Sequence, residues 1–195
     1  FRSNANSGIR MISEGVDGNR IVGNSIDGAG QNGYGVILHL ADGNVVRSNT
    51  IIGYQLAGVI ILNDATTNFV ERNTIASNGE DGVHLLDGVQ TVIGNRVQSN
   101  RIEGRALQMR GVRLTAADEN AIVGNDIVGN TLQGIVLESN AWRNRFSENR
   151  IRSNGLVGIF ISPTADARGN LFLRNVVGVN GADGIRAEFG TTNRF

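Results

Sequence analysis

The sequence predicts an all-β fold wound as a solenoid. Three observations predict it: a unit recurring about every 20–30 residues, apolar residues alternating with polar ones, and a composition rich in glycine and poor in proline. The unit is plainest from Asn120 to Leu137. It reads Asn-x-apolar-x-x-Asn-x-apolar, then a polar turn, then Gly-apolar-x-apolar.

Taking the second Asn as a register mark gives Asn4, Asn24, Asn49, Asn73, Asn95, Asn125, Asn149 and Asn175, at intervals of 20, 25, 24, 22, 30, 24 and 26 residues. The first Asn recurs as Asn19, Asn44, Asn68, Asn120, Asn144, Asn170 and Asn193, with Gln90 in its place once. The strand glycine recurs at Gly8, Gly35, Gly58, Gly82, Gly111, Gly134, Gly158 and Gly184. No window has helical periodicity, so every unit reads as strands, seven to eight turns in all. Stacked turns place equivalent residues about 4.8 Å apart. At that spacing one Asn amide can donate to, and accept from, the next. Asn-Gly steps such as Asn78-Gly79, Asn154-Gly155 and Asn180-Gly181 supply residues suited to left-handed corners.

This pattern resembles the right-handed parallel β-helix repeat of the pectate-lyase-like superfamily, including repeats of NosD-type periplasmic proteins and of mannuronan epimerases and lyases. The resemblance runs through residues 1–195 as a single repeat domain. It implies an exported, extracellular or periplasmic bacterial protein whose partner is an acidic polysaccharide or another protein chain. The same repeat serves enzymes, binding modules and filaments, so it does not choose among them. Entry and exit in mid-turn suggest a fragment of a longer chain or an uncapped protomer able to associate end to end.

Composition excludes some chemistry. Net charge is zero, so no global field draws the chain to nucleic acid. With no cysteine, thiol nucleophiles and thiolate metal sites are absent, and with no lysine every cation is an arginine. No apolar run approaches the roughly 18 residues of a membrane span. Asp-Gly steps at Asp17, Asp27, Asp42, Asp81, Asp87 and Asp183 lack the nonapeptide of calcium-binding coils, so neither calcium nor another cofactor is expected.

In the Gly-apolar-x-apolar strand the first and third residues after Gly point inward to fill the core, which leaves the second and fourth outside. The resemblance implies that chemistry, where there is any, sits on this outer face. Ile12, Ile37, Ile60, Leu62, Leu86 and Phe160 would form an apolar stripe there, covered by a partner or by more of the same protein. His39 and His84 share the face two turns apart, with Asp64 and Asp87 just past the strands and Arg113 on the next turn. These five are the candidate catalytic residues, His with Asp as a general base and Arg against a carboxylate. The epimerase run Tyr-Gly-x-Asp-Pro-His is not completed at its nearest approach, Tyr34-Gly35-Val36.

The interval from Asn95 to Asn125 reads as a seven-residue insertion carrying Arg96, Arg101, Arg105, Arg110 and Arg113 against Glu103 alone. Such a cationic ridge would bind the carboxylates of an acidic polysaccharide through bidentate forks. Trp142 lies in a turn, where an indole can stack on a sugar ring. The leading expectation is a non-catalytic structural or carbohydrate-binding module. The alternatives are a lyase or epimerase and a filament subunit.

Overall fold

The computed structural model describes residues 1–4, 6–88, 92–105, 107–163, 166–188 and 192–195. Three strands per turn wind into a right-handed parallel β-helix, with three sheets running its length. One sheet is built from longer strands, Ser7–Ile12, Tyr34–His39, Ala57–Leu62, Asp81–Leu86, Arg110–Thr115, Ile135–Glu138, Ile159–Ile161 and Ile185–Ala187. The second sheet stacks three-residue strands from Arg20–Val22 to Leu171–Leu173. The third runs from Ser25–Asp27 to Val176–Gly178.

The central residue of every short strand points inward, and the series Val46, Val70, Val97, Ile122 and Phe146 is fully buried, as is Ile26, Ile51, Ile75, Ile102, Ile127 and Ile151. From the long strands Val36, Leu38, Val83, Leu85, Val112 and Leu114 complete the core. The expected inward residues of the outermost turns, Ile9, Met11, Ile185 and Ala187, are half-buried or exposed. Phe146 and Phe172 stack with ring centres 4.7 Å apart, continuing the strand spacing through the side chains.

The corners are held by asparagine. Asn125 shows the bonding pattern: its Oδ1 accepts from the backbone N–H and the Nδ2 of Asn100, at 3.0 Å each. Its Nδ2 donates forward to Asn149 Oδ1 at 3.0 Å and back to the Val97 carbonyl at 2.9 Å. Aspartate cannot donate and serine cannot reach both turns, so only a side chain with both amide functions satisfies the corner. Two continuous ladders result, Asn19-44-68-95-120-144-170-193 and Asn24-49-73-100-125-149-175.

The ladders correct the register. Asn95 bonds to Asn68 and Asn120 and belongs to the first ladder, with Asn100 in the second. The second ladder then steps by 27 and 25 residues from Asn73 through Asn100 to Asn125, and the seven-residue insertion shrinks to two residues before Gly111, eleven after Asn100 instead of nine. Val97 and Ile102 enter the core as a consequence. Gln90, taken as the replacement for Asn, lies outside the described residues. Asn4 is also displaced, because Arg2 pairs with Asp27, five residues beyond the expected phase.

The left-handed residue of each corner is the one before the Asn, such as Ser48, Arg72, Ser99 and Glu148 at φ 54°, 54°, 54° and 58°. The glycine after Asn has a different reason to be glycine. A Cβ on Gly155 would lie 2.2 Å from the Thr131 carbonyl oxygen, so close stacking of the turns forbids a side chain.

Replacing Asn125 by Ala should leave the Asn100 amide and the Val97 carbonyl buried without partners and cost about 3–5 kcal/mol. Asn24→Ala, at a corner where the side chain is half exposed, should cost about 1 kcal/mol. Urea unfolding of both variants checks the difference; equal losses would show that the ladder bonds do not carry the stability assigned to them.

Candidate functional site

The outer face of the long-strand sheet gathers charge at one place. In-register pairing sets Asp81 beside Arg110, His84 beside Arg113 and Leu86 beside Thr115, and Thr115 in turn beside Glu138. Asp81 Oδ1 accepts from Arg110 Nη1 at 3.1 Å. Arg113 donates from Nε and Nη2 to Glu138 Oε2 at 2.9 and 2.6 Å and turns Nη1 toward Asp81 Oδ2 at 3.8 Å. His84 Nε2 meets Thr115 Oγ1 at 3.1 Å, and its Nδ1 lies 3.6 Å from Asp81 Oδ2. Asp81 Oδ2 itself is buried and makes no hydrogen bond among the described residues.

Asp81 is completely buried, and that burial raises its pKa to about 6 against the pull of Arg110 and Arg113. His84 is 8% exposed. Burial, then the charges of Arg113 and Arg110, lower it to about 3. Near neutral pH the aspartate is ionised and the imidazole neutral, so their close approach is a polar contact and not an ion pair. Ala57 adjoins Asp81 on the other side. Its small side chain leaves room, and Tyr34 from two turns away is near enough that Glu80 and Asp81 add to the burial that raises its hydroxyl.

Of the five candidate catalytic residues, His84 and Arg113 come together here. His39 pairs with Asn63 Nδ2 at 3.2 Å on another part of the face. The run beginning at Tyr34 keeps the final His of the epimerase pattern, as His39, but has Ile37 and Leu38 where that pattern has Asp and Pro. Asp64 faces a hollow shared with Glu14, Asp17 and Asp42. Asp87 lies near Asp118, whose carboxyl is raised by burial first and by Asp87 second. Asp81, absent from the candidates, is the carboxylate His84 meets. Its position three residues before a histidine on the same strand was the available signal.

The five arginines do not form one ridge. Arg96 sits on the second sheet beside Gln98. Arg101 and Arg105 flank Glu103 at 3.3 and 3.1 Å on the third sheet, Arg101 also reaching Asp126 at 3.1 Å. Of the five, Arg110 and Arg113 alone lie on the long-strand face. The ridge depended on the slipped register, and one turn of a three-sided coil spreads its residues over three directions.

The apolar stripe is packed more than bare. Ile60 is 2% exposed between Ile37 and His84, while Ile37, Leu62, Leu86 and Phe160 are half-buried and Ile12 is 36% exposed. Side chains on strands this close cover one another. Among the described residues no three His, Asp or Glu side chains converge as a metal site requires, and no helix is long and apolar enough to cross a membrane.

A family model described as the right handed beta helix region matches residues 1–110 and, overlapping, 60–195. The chain belongs to this right-handed β-helix family. Among solved structures, the periplasmic alginate epimerase AlgG matches at 21% identity and a TM-score of 0.73, over 91% of this chain and 46% of that one. The A-module of the Azotobacter vinelandii mannuronan C-5 epimerase AlgE4 matches at 17% identity and a TM-score of 0.69, over 94% and 56%. Pectate lyase Pel9A matches at 14% and 0.54, over 95% and 57%. No curated protein matches. The chain thus spans about half the length of these β-helix structures, and likeness at such identities is a likeness of fold.

The two shifted groups of the site oppose each other in acid. Asp81 holds its proton more tightly folded than unfolded, so its burial cost is relieved as pH falls from about 6 toward 3.8. His84 is neutral when folded, so the unfolded chain gains a proton, and stability is lost, as pH falls from 6.5 toward about 3. His84→Gln removes only the loss. Between pH 7 and about pH 4.5 the variant should gain about 2–3 kcal/mol of unfolding free energy relative to the parent, and Asp81→Asn should move the opposite way. Urea unfolding at the two pH values tests this; parallel profiles for all three proteins would contradict it.

Proposed function

We propose that this chain is a β-helix segment of an exported protein that binds an acidic polysaccharide on the outer face of its long-strand sheet, without catalysing a reaction there. The observation that carries the reading is the pair of guanidiniums Arg110 and Arg113, whose side chains are 18% and 23% exposed, held in place by Asp81 and Glu138. A guanidinium whose rotamer is already fixed loses little entropy when it donates to a carboxylate, and its fork matches that group. The solved structures of like fold, described as alginate epimerases and a pectate lyase, support an acidic polysaccharide as the ligand class and export as the setting.

Binding without turnover is favoured by the pairing within the cluster. Arg110 and Arg113 each face a carboxylate, and the one imidazole is buried with Nε2 engaged by Thr115. A second reading, lyase or epimerase, draws on the same residues. His84 is neutral and so able to take a proton, Arg113 can neutralise a uronate carboxylate, and Asp81 titrates near 6. In that reading Glu138 gives up Arg113 when substrate arrives.

Retention on immobilised alginate and pectate at low salt separates these possibilities. Joint replacement Arg110→Gln and Arg113→Gln should weaken retention about tenfold or more, while Arg96→Gln with Arg145→Gln, on the neighbouring sheet, should retain like the parent. Equal weakening in both pairs would mean diffuse charge attraction and would sink the assigned face. Ultraviolet-absorbing unsaturated ends, or altered uronate composition by NMR after incubation, would replace the binding reading with the enzymatic one.

A further inference from the structure

The corner joining the long-strand sheet to the second sheet carries another surface, assembled from successive turns. Trp142 and Arg143 precede Asn144, Arg168 and Gly169 hold the equivalent positions before Asn170, and Thr192 precedes Asn193. These five residues line an open hollow of about 300 Å³. Trp142 is 37% exposed yet anchored: its backbone N–H donates to Asp118 Oδ1 at 2.6 Å, and its indole Nε1 donates to the Asp166 carbonyl. Arg168 bonds Asp166 Oδ1 through Nε at 2.5 Å, and Arg143 bonds Glu119 Oε1 through Nη1 at 3.1 Å. Gly169 contributes no side chain, which leaves the floor between indole and guanidiniums open.

An aromatic ring whose orientation is fixed before binding offers a flat apolar face at little entropic cost. Around it stand both donors and acceptors, since each arginine is matched by an acid. Asp118, Glu119 and Asp166 outnumber Arg143 and Arg168, so this corner, unlike the balanced Arg110–Arg113 face, disfavours a carboxylate. Hydroxyl groups, which donate and accept at once, suit such a set better. We propose that the Trp142–Arg143–Arg168 corner binds a pyranose unit of a polysaccharide through ring stacking and hydroxyl recognition, independently of the Arg110–Arg113 face.

Trp142 is the only tryptophan in the chain, so its emission reports on this corner directly. Hexasaccharides of mannose, glucose, galactose, xylose and galacturonate are titrated separately at low and high salt. At least one neutral sugar should give a saturable change in emission with little salt dependence. The change should persist in the Arg110→Gln, Arg113→Gln protein. In calorimetry with the sugar that responds, Trp142→Ala should abolish binding, Trp142→Phe should keep a weakened form, and Arg168→Gln should weaken it about tenfold. Silence from every sugar overturns the proposal. So does a response confined to galacturonate and lost at high salt, or one lost when Arg110 and Arg113 are replaced. Failure of acidic-polymer retention with the Trp142 response intact would instead count against the outer-face site alone.

Discussion

The amide of asparagine, repeated at the strand spacing, is the interaction on which this molecule depends. A parallel β-helix brings the backbone around a sharp corner three times per turn, and at each corner the polar groups leave the sheet ladder. Buried, they require partners. Asn supplies an acceptor to the turn before it and donors to both neighbours, so the requirement is met by the repeat itself. The cost is a left-handed residue ahead of each Asn, borne by Arg72, Glu148 and Arg174 as well as by glycines. Such a conformation costs roughly 1–2 kcal/mol at an ordinary residue. The four hydrogen bonds of an interior Asn exceed that. Stability is therefore a property of adjacent turns, transmitted from one to the next.

Because the ladders and the inward aliphatic residues hold the coil, outward positions are released from structural duty. Most carry residues that pair across turns, as Arg101, Asp126 and Arg152 do on the third sheet at 3.1 Å each. The Asp81 cluster differs in depth. Neighbouring side chains of the long-strand face shut water from Asp81 and His84, and this desolvation moves one group up and the other down. The same acid and base on a solvated strand would titrate ordinarily. Packing on the outer face, where a sheet is expected to be wet, is what makes these groups chemically distinct.

Strand alternation and the Asn-apolar-Gly spacing made the architecture legible, since both report directly on stacking. Register failed at the first turn, around Asn4, and at one interior unit, where two asparagines five residues apart, Asn95 and Asn100, are equivalent until their partners are seen. Choosing the wrong one exaggerated an insertion, removed Val97 and Ile102 from the core and turned arginines of three faces into one ridge. His84 and Arg113 were found because they follow the strand glycine at a regular offset. Asp81 precedes that glycine, where a dipeptide Asp-Gly looks like a turn, and its burial depends on neighbours one and two turns away. A linear pattern does not hold that information.

The irregular turn leads directly into the cluster. A third ladder runs through Asn78, Gln108, Asn130 and Asn154, and Gln108 stands eight residues after Asn100 where other turns need five. The detour displaces the backbone from the stack. Glutamine, longer by one methylene, returns the amide to it, donating to Asn130 Oδ1 at 2.7 Å. The chain then rejoins the sheet one residue early, with three residues from Gln108 to Gly111 instead of the four from Asn78 to Gly82. The Glu80 carbonyl accepts both the Met109 and Arg110 amides, at 2.8 and 2.9 Å, where this shortened link joins the strand. Arg110 then takes the ordinary strand register, opposite Asp81 as Asp81 is opposite Ala57, so the stretch is absorbed before the strand begins and the cation lands directly beside the buried carboxylate.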